Sequence, residues 1–164
     1  MQTITELTLH DTMLYGDIPV FTYHIRFPSF STTCNLAAAQ TINAYYRHLA
    51  GNMEQYCRTV LYPQAVESAG YIPVNRPPFN PYTLDTHYQI TYNSGCITSL
   101  YMDTSTYMGG AHQELNRTSD TWDFNTGRQL QPDDIFPPAP GTQDLLQDTI
   151  ERQITDRLKI TTRR

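Results

Sequence analysis

The chain of 164 residues carries little charge, and the charge that it carries is mainly negative. Asp, Glu, Lys and Arg together make up 16% of the residues, and Lys159 is the only lysine. Because the formal net charge is −5, the sequence lacks the basic stripe of a nucleic-acid surface, and we expect no nucleic-acid partner. The sequence also lacks any apolar run of about 18 residues, which predicts no membrane span in this chain.

Cysteine is scarce, and its spacing excludes the common metal sites. Cys34, Cys57 and Cys96 form no Cys-x-x-Cys or Cys/His pattern, so we expect no structural zinc and no cofactor. We place Cys34 and Cys57 on one predicted helix, roughly 35 Å apart at about 1.5 Å per residue, where they cannot pair. An odd number of cysteines also rules out complete internal pairing, which favours buried free thiols.

No secretory signal opens the chain, because its first residues, MQTITELTLH, are polar and alternating. Composition therefore leaves two alternatives open: a cytoplasmic protein, or an extracytoplasmic piece without its targeting segment.

Neutral polar side chains are abundant in place of charged ones, and the chain has 12 tyrosines. Such a surface suits contact with a glycan or with another protein, and the same residues are also ordinary decoration of strands.

The chain begins with a pattern typical of two strands. Residues 3–10 and 18–27 alternate in polarity, and a Gly-Asp pair between them is typical of a hairpin connection. The apolar face of the second strand consists of Phe21, Tyr23, Ile25 and Phe27.

A helical pattern follows these strands. Apolar residues at spacings of three and four form one stripe from Leu36 to Val60, which predicts a long helix that Pro63 kinks or ends. A short helical piece is predicted at 64–69. The proline-rich stretch at 71–81 is predicted to be an extended connector that packs against the same domain.

From residue 82 the polarity alternates with a period of two. Turn sequences separate four predicted strands, at 82–92, 96–108, 111–124 and 128–130. Because these strands are neighbours in sequence, they predict an antiparallel meander. A last amphipathic helix is predicted from Thr142 onward.

Together these elements predict a single α+β domain over residues 1–164. An antiparallel β-meander sheet would pack against the long N-terminal helix, and a second helix would lie at the C-terminus. Residues 1–81 supply the strand pair, the long helix and the connector, and residues 82–164 supply the meander and the last helix.

Candidate catalytic residues are few. His112 with Asp103 or Glu114 could form the acid–base site of an enzyme that processes cell-wall carbohydrate or peptide, provided that these side chains converge in a cleft. Carboxylates on strands, Asp120 among them, more often lie on the solvated face of a half-buried sheet. We therefore predict no catalytic residues and no metal site.

The meander carries a resemblance to a known family. The stretch LYMDTSTYMGGAHQELNRTSDTWDFNTGRQLQPDDIF contains, in order, a strand, a Gly-Gly-Ala-His turn, a strand ending in Asp-Phe, a Thr-Gly turn and an Asp-Ile-Phe segment. It resembles the conserved core of a family of bacterial extracytoplasmic domains. That family includes the lysozyme-sensing ectodomain of an anti-sigma factor and the N-terminal region of a peptidoglycan deacetylase, and many members have no assigned function.

The resemblance implies a noncatalytic, extracytoplasmic binding or sensing domain at the cell envelope, secreted or anchored through a segment outside this chain. Its expected partner is a lysozyme-like protein or a cell-wall glycan. Within the family-like meander, the candidate binding residues are Tyr101, Asp103, Tyr107, His112 and Glu114.

Two further expectations concern turns and assembly. Gly109, Gly110 and Gly127 are predicted to turn the chain, because glycine adopts positive φ without strain. Family members usually continue with more strands after the last helix, whereas this chain ends there. An unfinished sheet edge would favour pairing with another chain, so an assembly domain that forms a homo-oligomer is the remaining alternative.

Overall fold

The structure, a computed structural model, describes residues 1–71, 79–136, 139 and 141–161. The predicted connector at 71–81 therefore falls largely outside the described residues. The chain divides into two compact units, Met1–Gln129 and Leu130–Arg164, and each is described by itself.

The first unit contains a six-stranded sheet whose strand order follows the chain order. The strands are β1 (Thr3–Tyr15), β2 (Ile18–Ser31), β3 (Tyr82–Ser94), β4 (Ile97–Tyr107), β5 (Glu114–Asp123) and β6 (Arg128–Gln129). The pairs from β3 to β6 are antiparallel, as the meander prediction required.

The sheet as a whole is mixed, which corrects the expectation of a purely antiparallel sheet. β3 pairs with β2 in parallel, because the chain crosses over through the helical segment before it returns. The sheet also curls, so that Gln2 at the start of β1 reaches the far end of β3. There the Gln2 backbone N–H donates to Asn93 Oδ1 at 2.9 Å, and Thr98 Oγ1 donates to Gln2 Oε1 at 2.8 Å.

The core lies between the sheet and the long helical segment. The predicted apolar face of β2 is confirmed, because Phe21, Tyr23, Ile25 and Phe27 are all buried. Helix α1 (Leu36–Tyr56) begins after Asn35, whose side chain caps it by accepting from the backbone of Ala37 and Ala38. The residues that α1 buries against the sheet are Ala38, Ala39, Ile42, Tyr46 and Ala50.

The helix does not end at Pro63. A π-helical turn at Cys57–Leu61 leads directly into α2 (Tyr62–Gly70), and the Tyr62 backbone N–H donates to the Cys57 carbonyl five residues back. The wider turn lets the backbone continue through proline, which has no N–H to donate. The predicted stripe is wrong at Leu36 and Tyr56, which are exposed.

The prediction of buried free thiols is wrong for two of the three cysteines. Cys34 and Cys96 form a disulfide, with Cα atoms 6.0 Å apart, and only Cys57 is a buried free thiol. Cys34 lies before the helix rather than within it, which leaves it able to reach the β3–β4 turn. That two-residue turn consists of Gly95 and Cys96, both at positive φ, as a type I′ turn requires.

The second unit contains a short helix, α3 (Pro132–Ile135), and the predicted C-terminal helix, α4 (Thr142–Thr161). Several apolar side chains of α4 are exposed, including Leu145, Ile150 and Ile154. Within the described part of the chain, no helix is long and apolar enough to span a bilayer.

Candidate functional site

The two faces of the sheet differ in character. Helices α1 and α2 pack on one face, and the other, on which His87 and Arg117 are largely exposed, we call the open face. Because side chains alternate along a strand, the open face carries the residues between the buried ones. On the meander these include Asp85, His87, Gln89, Ser99, Tyr101, Asp103, Ser105, Tyr107, Arg117, Ser119 and Thr121.

An ion pair joins β4 and β5 at the centre of this face. Asp103 and Arg117 lie directly opposite each other, and Arg117 donates from Nε and Nη2 to the two carboxylate oxygens, each at 2.6 Å. His87 on β3 adds Nε2 at 3.4 Å from the same carboxylate. The hydrogen bond from Arg117 lowers the pKa of Asp103, so its carboxyl group stays ionised at neutral pH.

Tyr101 is held between two partners. The Arg117 guanidinium lies over the Tyr101 ring at 3.9 Å from its centroid, and the Tyr101 hydroxyl donates to Gln89 Oε1 at 2.5 Å. One face of the Tyr101 ring is therefore covered by the guanidinium and is not available to stack on a ligand.

Other polar side chains on the open face also pair with each other. The hydroxyls of Ser99 and Thr121 are 2.9 Å apart across β4 and β5. Ser105 Oγ donates to Gln113 Oε1 at 2.7 Å, and at the end of β4 Asn80 Nδ2 donates to the Tyr107 hydroxyl at 3.0 Å. The face is thus a hydrogen-bonded surface of mostly neutral groups.

The predicted binding residues do not form one cluster. Tyr101, Asp103 and Tyr107 share the open face, whereas Glu114 lies opposite Thr106 and therefore belongs to the other face. His112 is exposed in the loop between β4 and β5. Among the described residues, no group of three or more His, Cys, Asp or Glu side chains is arranged to hold a metal ion.

Two of the three turn glycines meet close neighbours. Gly109 has φ of +78°, and a Cβ at this position would lie 2.7 Å from Cε1 of Tyr82. Gly127 has φ of +77°, and its Cβ would lie 3.2 Å from Cα of Ala38 in α1. Gly110 does not have positive φ and has open space around it.

Arg117 is the principal residue that sequence reasoning missed. The β4–β5 pairing is centred on Gly110, so that residues equally far before and after it lie opposite each other. Counting outward from Gly110 would have paired Asp103 with Arg117 and identified the central ion pair.

Asp120 was expected on the solvated face of the sheet, but it lies on the opposite face, which α1 covers. It accepts from the Tyr46 hydroxyl at 2.8 Å and from Gln129 Nε2 at 2.7 Å, and Trp122 Nε1 donates to the same Tyr46 oxygen at 2.8 Å. Burial raises the pKa of Asp120. Each group in this chain of hydrogen bonds has a partner within the protein, so its role is to join α1 to β5.

Solved structures share this fold. A member of the DUF3298 family from Bacteroides fragilis aligns with a TM-score of 0.67 and 16% identity, covering 95% of this chain and 69% of that one. A DUF3298 family protein from Pseudomonas aeruginosa PAO1 aligns with a TM-score of 0.60 and 12% identity, covering 99% of this chain and 69% of that one. At these identities the likeness shows the fold alone.

Sequence comparison identifies the family. No curated protein matches the sequence of the chain. The family described as Deacetylase PdaC matches residues 16–113, from the β1–β2 turn through the Gly-Gly-Ala-His motif. Since this match covers more than half of the chain, the protein belongs to the Deacetylase PdaC family.

Proposed function

We propose that the protein is a noncatalytic, extracytoplasmic binding domain that recognises cell-wall glycan through the open face of its sheet. The observation that carries the proposal is the network on that face, in which Arg117 bonds to Asp103 and stacks on Tyr101, and Tyr101 bonds to Gln89. These contacts fix the side chains before any ligand arrives, which lowers the conformational entropy lost on binding.

The chemistry of the face favours a glycan over a protein. Sugar hydroxyls both donate and accept hydrogen bonds, and the amide, hydroxyl and carboxylate groups of the face do the same. Protein interfaces instead depend on a few large apolar or aromatic anchors in a desolvated centre. The ring of Tyr101 is already stacked on Arg117, and Leu115 is an isolated exposed apolar residue on this side of β5.

The disulfide supports the proposed compartment. Disulfides persist in secreted and periplasmic proteins and are rare in the reducing cytosol. The Cys34–Cys96 bond therefore favours an extracytoplasmic protein.

The electrostatics of the open face support a noncatalytic role. A general acid at neutral pH needs a raised pKa, whereas Arg117 lowers the pKa of Asp103. Glu114 lies on the opposite face from Asp103, so the two cannot act on one ligand from one side.

A lysozyme-like protein is the second candidate partner. The net charge of −5 favours a basic partner, because opposite charges steer association. The two partners are distinguishable, because salt would weaken binding to a basic protein far more than binding to a neutral glycan.

The assembly alternative rests on β1, a 13-residue strand at the edge of the sheet. A long edge strand presents unpaired backbone groups to a second chain. Light scattering at high protein concentration tests this alternative, and a strict monomer counts against it.

Isothermal titration calorimetry tests the proposed function. Soluble peptidoglycan fragments are titrated into the wild-type protein, into Arg117→Ala and into Arg47→Ala, a matched control on the exposed side of α1. We expect Arg117→Ala to weaken binding about tenfold or more and Arg47→Ala to leave it unchanged, since a charge-assisted contact contributes roughly 1.5–3 kcal/mol.

Three outcomes would contradict the proposal. One is a folded wild-type protein that binds no fragment, and another is an equal effect of both substitutions. The third is binding to lysozyme without binding to any glycan, which would transfer the assignment to a protein partner.

A further inference from the structure

A row of three ionisable side chains crosses the open face away from the central ion pair. His10 on β1 lies directly opposite His24 on β2, and His24 lies directly opposite Asp85 on β3. Directly opposed residues point to the same side of a sheet, so all three share one face. They line an open depression of about 310 Å³, and its other lining residues are Asp11, Thr12, Thr22 and Tyr23.

These side chains have hydrogen-bonding capacity that the protein does not use. Within the described part of the chain, none of His10, His24 and Asp85 has a side-chain hydrogen bond to another protein group, unlike the paired residues around Arg117. The two imidazoles meet edge to face, with ring centroids 6.1 Å apart at 77°. Two residues beyond His24, Nε of Arg26 is buried and has no partner among the described residues.

The available groups match a ring that carries hydroxyls. A carboxylate accepts two hydroxyl donors, and a neutral imidazole offers one donor and one acceptor. The volume lies at the lower end of ligand sites, which span roughly 300–1,000 Å³, so the depression holds a ligand of about one sugar ring. We propose that this depression is the primary sugar subsite of the open face, where Asp85 and the two histidines bind the hydroxyls of one pyranose ring.

The inference rests on the proposed function and adds a length requirement to it. Asp85 and Arg117 are two strands apart and offset by two residues in register, which places them roughly 12 Å apart at about 4.8 Å per strand and 3.4 Å per residue. A single sugar in the depression does not reach Arg117, whereas an oligosaccharide extends to it. Asp85 should therefore affect ligands of every length, and Arg117 should affect only the longer ones.

Calorimetry with N-acetylglucosamine and its oligomers tests this subsite. We expect Asp85→Asn and His24→Gln to weaken binding about tenfold or more at every length, and Arg117→Ala to weaken only the oligomers. His48→Gln, on the exposed side of α1, is the matched control and should bind like the wild type. Circular dichroism verifies that each variant is folded, which we expect because the substituted side chains are partly exposed.

NMR spectra of the histidine rings provide a second readout that needs no substitution. Addition of the sugar should shift the ring signals of His10 and His24 and leave those of His48 in place.

The two proposals fail in different ways. If the wild type binds oligomers and Arg117→Ala weakens them while Asp85→Asn and His24→Gln do not, the subsite is wrong and the proposed function stands. If the wild type binds no sugar of any length, both are wrong.

Discussion

Replacing Gly109 with alanine should destabilise the protein strongly, whereas the same change at the adjacent Gly110 should have little effect. Gly109 has φ of +78°, and its new Cβ would lie 2.7 Å from Cε1 of Tyr82. Tyr82 cannot move freely, because its hydroxyl donates to Ser68 Oγ in α2 at 2.9 Å and its ring packs on Phe79. The substitution therefore strains the backbone and also disturbs the contact between β3 and α2.

The two contributions can be separated with a third glycine. Gly16 has φ of +60°, and a Cβ at this position would have no neighbouring atom within 4 Å. Gly16→Ala therefore reports the backbone strain alone, about 1–2 kcal/mol. Gly109→Ala adds overpacking of about 1–3 kcal/mol, for a total of roughly 2–5 kcal/mol. Gly110→Ala should stay within about 0.5 kcal/mol of the wild type.

Urea unfolding followed by tryptophan fluorescence measures these differences. Trp122 is the only tryptophan and is buried, so its emission reports the loss of the core. We expect Gly110→Ala to be the least destabilising, Gly16→Ala to be intermediate and Gly109→Ala to be the most destabilising. Equal stability of the Gly109 and Gly110 variants would refute both the turn geometry and the contact with Tyr82.

Three further predictions follow from the core. Replacing Cys34 and Cys96 together with serine should lower the free energy of unfolding by about 4 kcal/mol, because the bond closes a loop of 62 residues; a loss below about 1 kcal/mol would contradict its structural role. Tyr46→Phe should cost about 1–3 kcal/mol in urea unfolding, since it leaves Trp122 Nε1 without its acceptor, and an unchanged midpoint would disprove the network. Burial raises the pKa of the Cys57 thiol to about 12, so a thiol reagent at pH 9 should label it only on unfolding. Rapid labelling of the native protein would contradict this burial. Above roughly pH 8.5 the thiol of the unfolded chain loses its proton while the native thiol keeps it. The contribution of Cys57 to the free energy of unfolding is therefore full below that pH and falls as pH rises toward 12.

Local sequence patterns correctly predicted the features that depend on residues close together in the chain. Alternation along β2 identified its buried face at Phe21, Tyr23, Ile25 and Phe27, because a half-buried strand must alternate. Adjacent strands separated by turn residues gave the antiparallel pairs from β3 to β6, because hairpins form between neighbours in sequence.

The errors concern contacts between distant parts of the chain. The parallel pairing of β2 with β3 depends on where the crossover helix packs, which no local pattern records. The Cys34–Cys96 bond required the helix to begin after Cys34, and helix boundaries are uncertain by a few residues from sequence. The π-helical turn before Pro63 is likewise a backbone adjustment with no signal in side-chain periodicity.

The candidate site was only partly predictable, because its residues come together through the pairing of strands. Tyr101 and Asp103 were among the predicted binding residues, whereas Arg117 was missed because its partner depends on the exact centre of the hairpin. The row of His10, His24 and Asp85 required the register of three strands, including the parallel pair that sequence did not predict.

An NMR titration of the isotope-labelled protein with soluble peptidoglycan fragments tests the central claim most directly, because it reports where a ligand binds. We expect shifts of backbone amides along the open face, around His24, Asp85 and Arg117, with little change along the exposed side of α1. Shifts confined to α1 and α2, or no shifts at all from a folded sample at millimolar fragment, would contradict glycan binding at the open face.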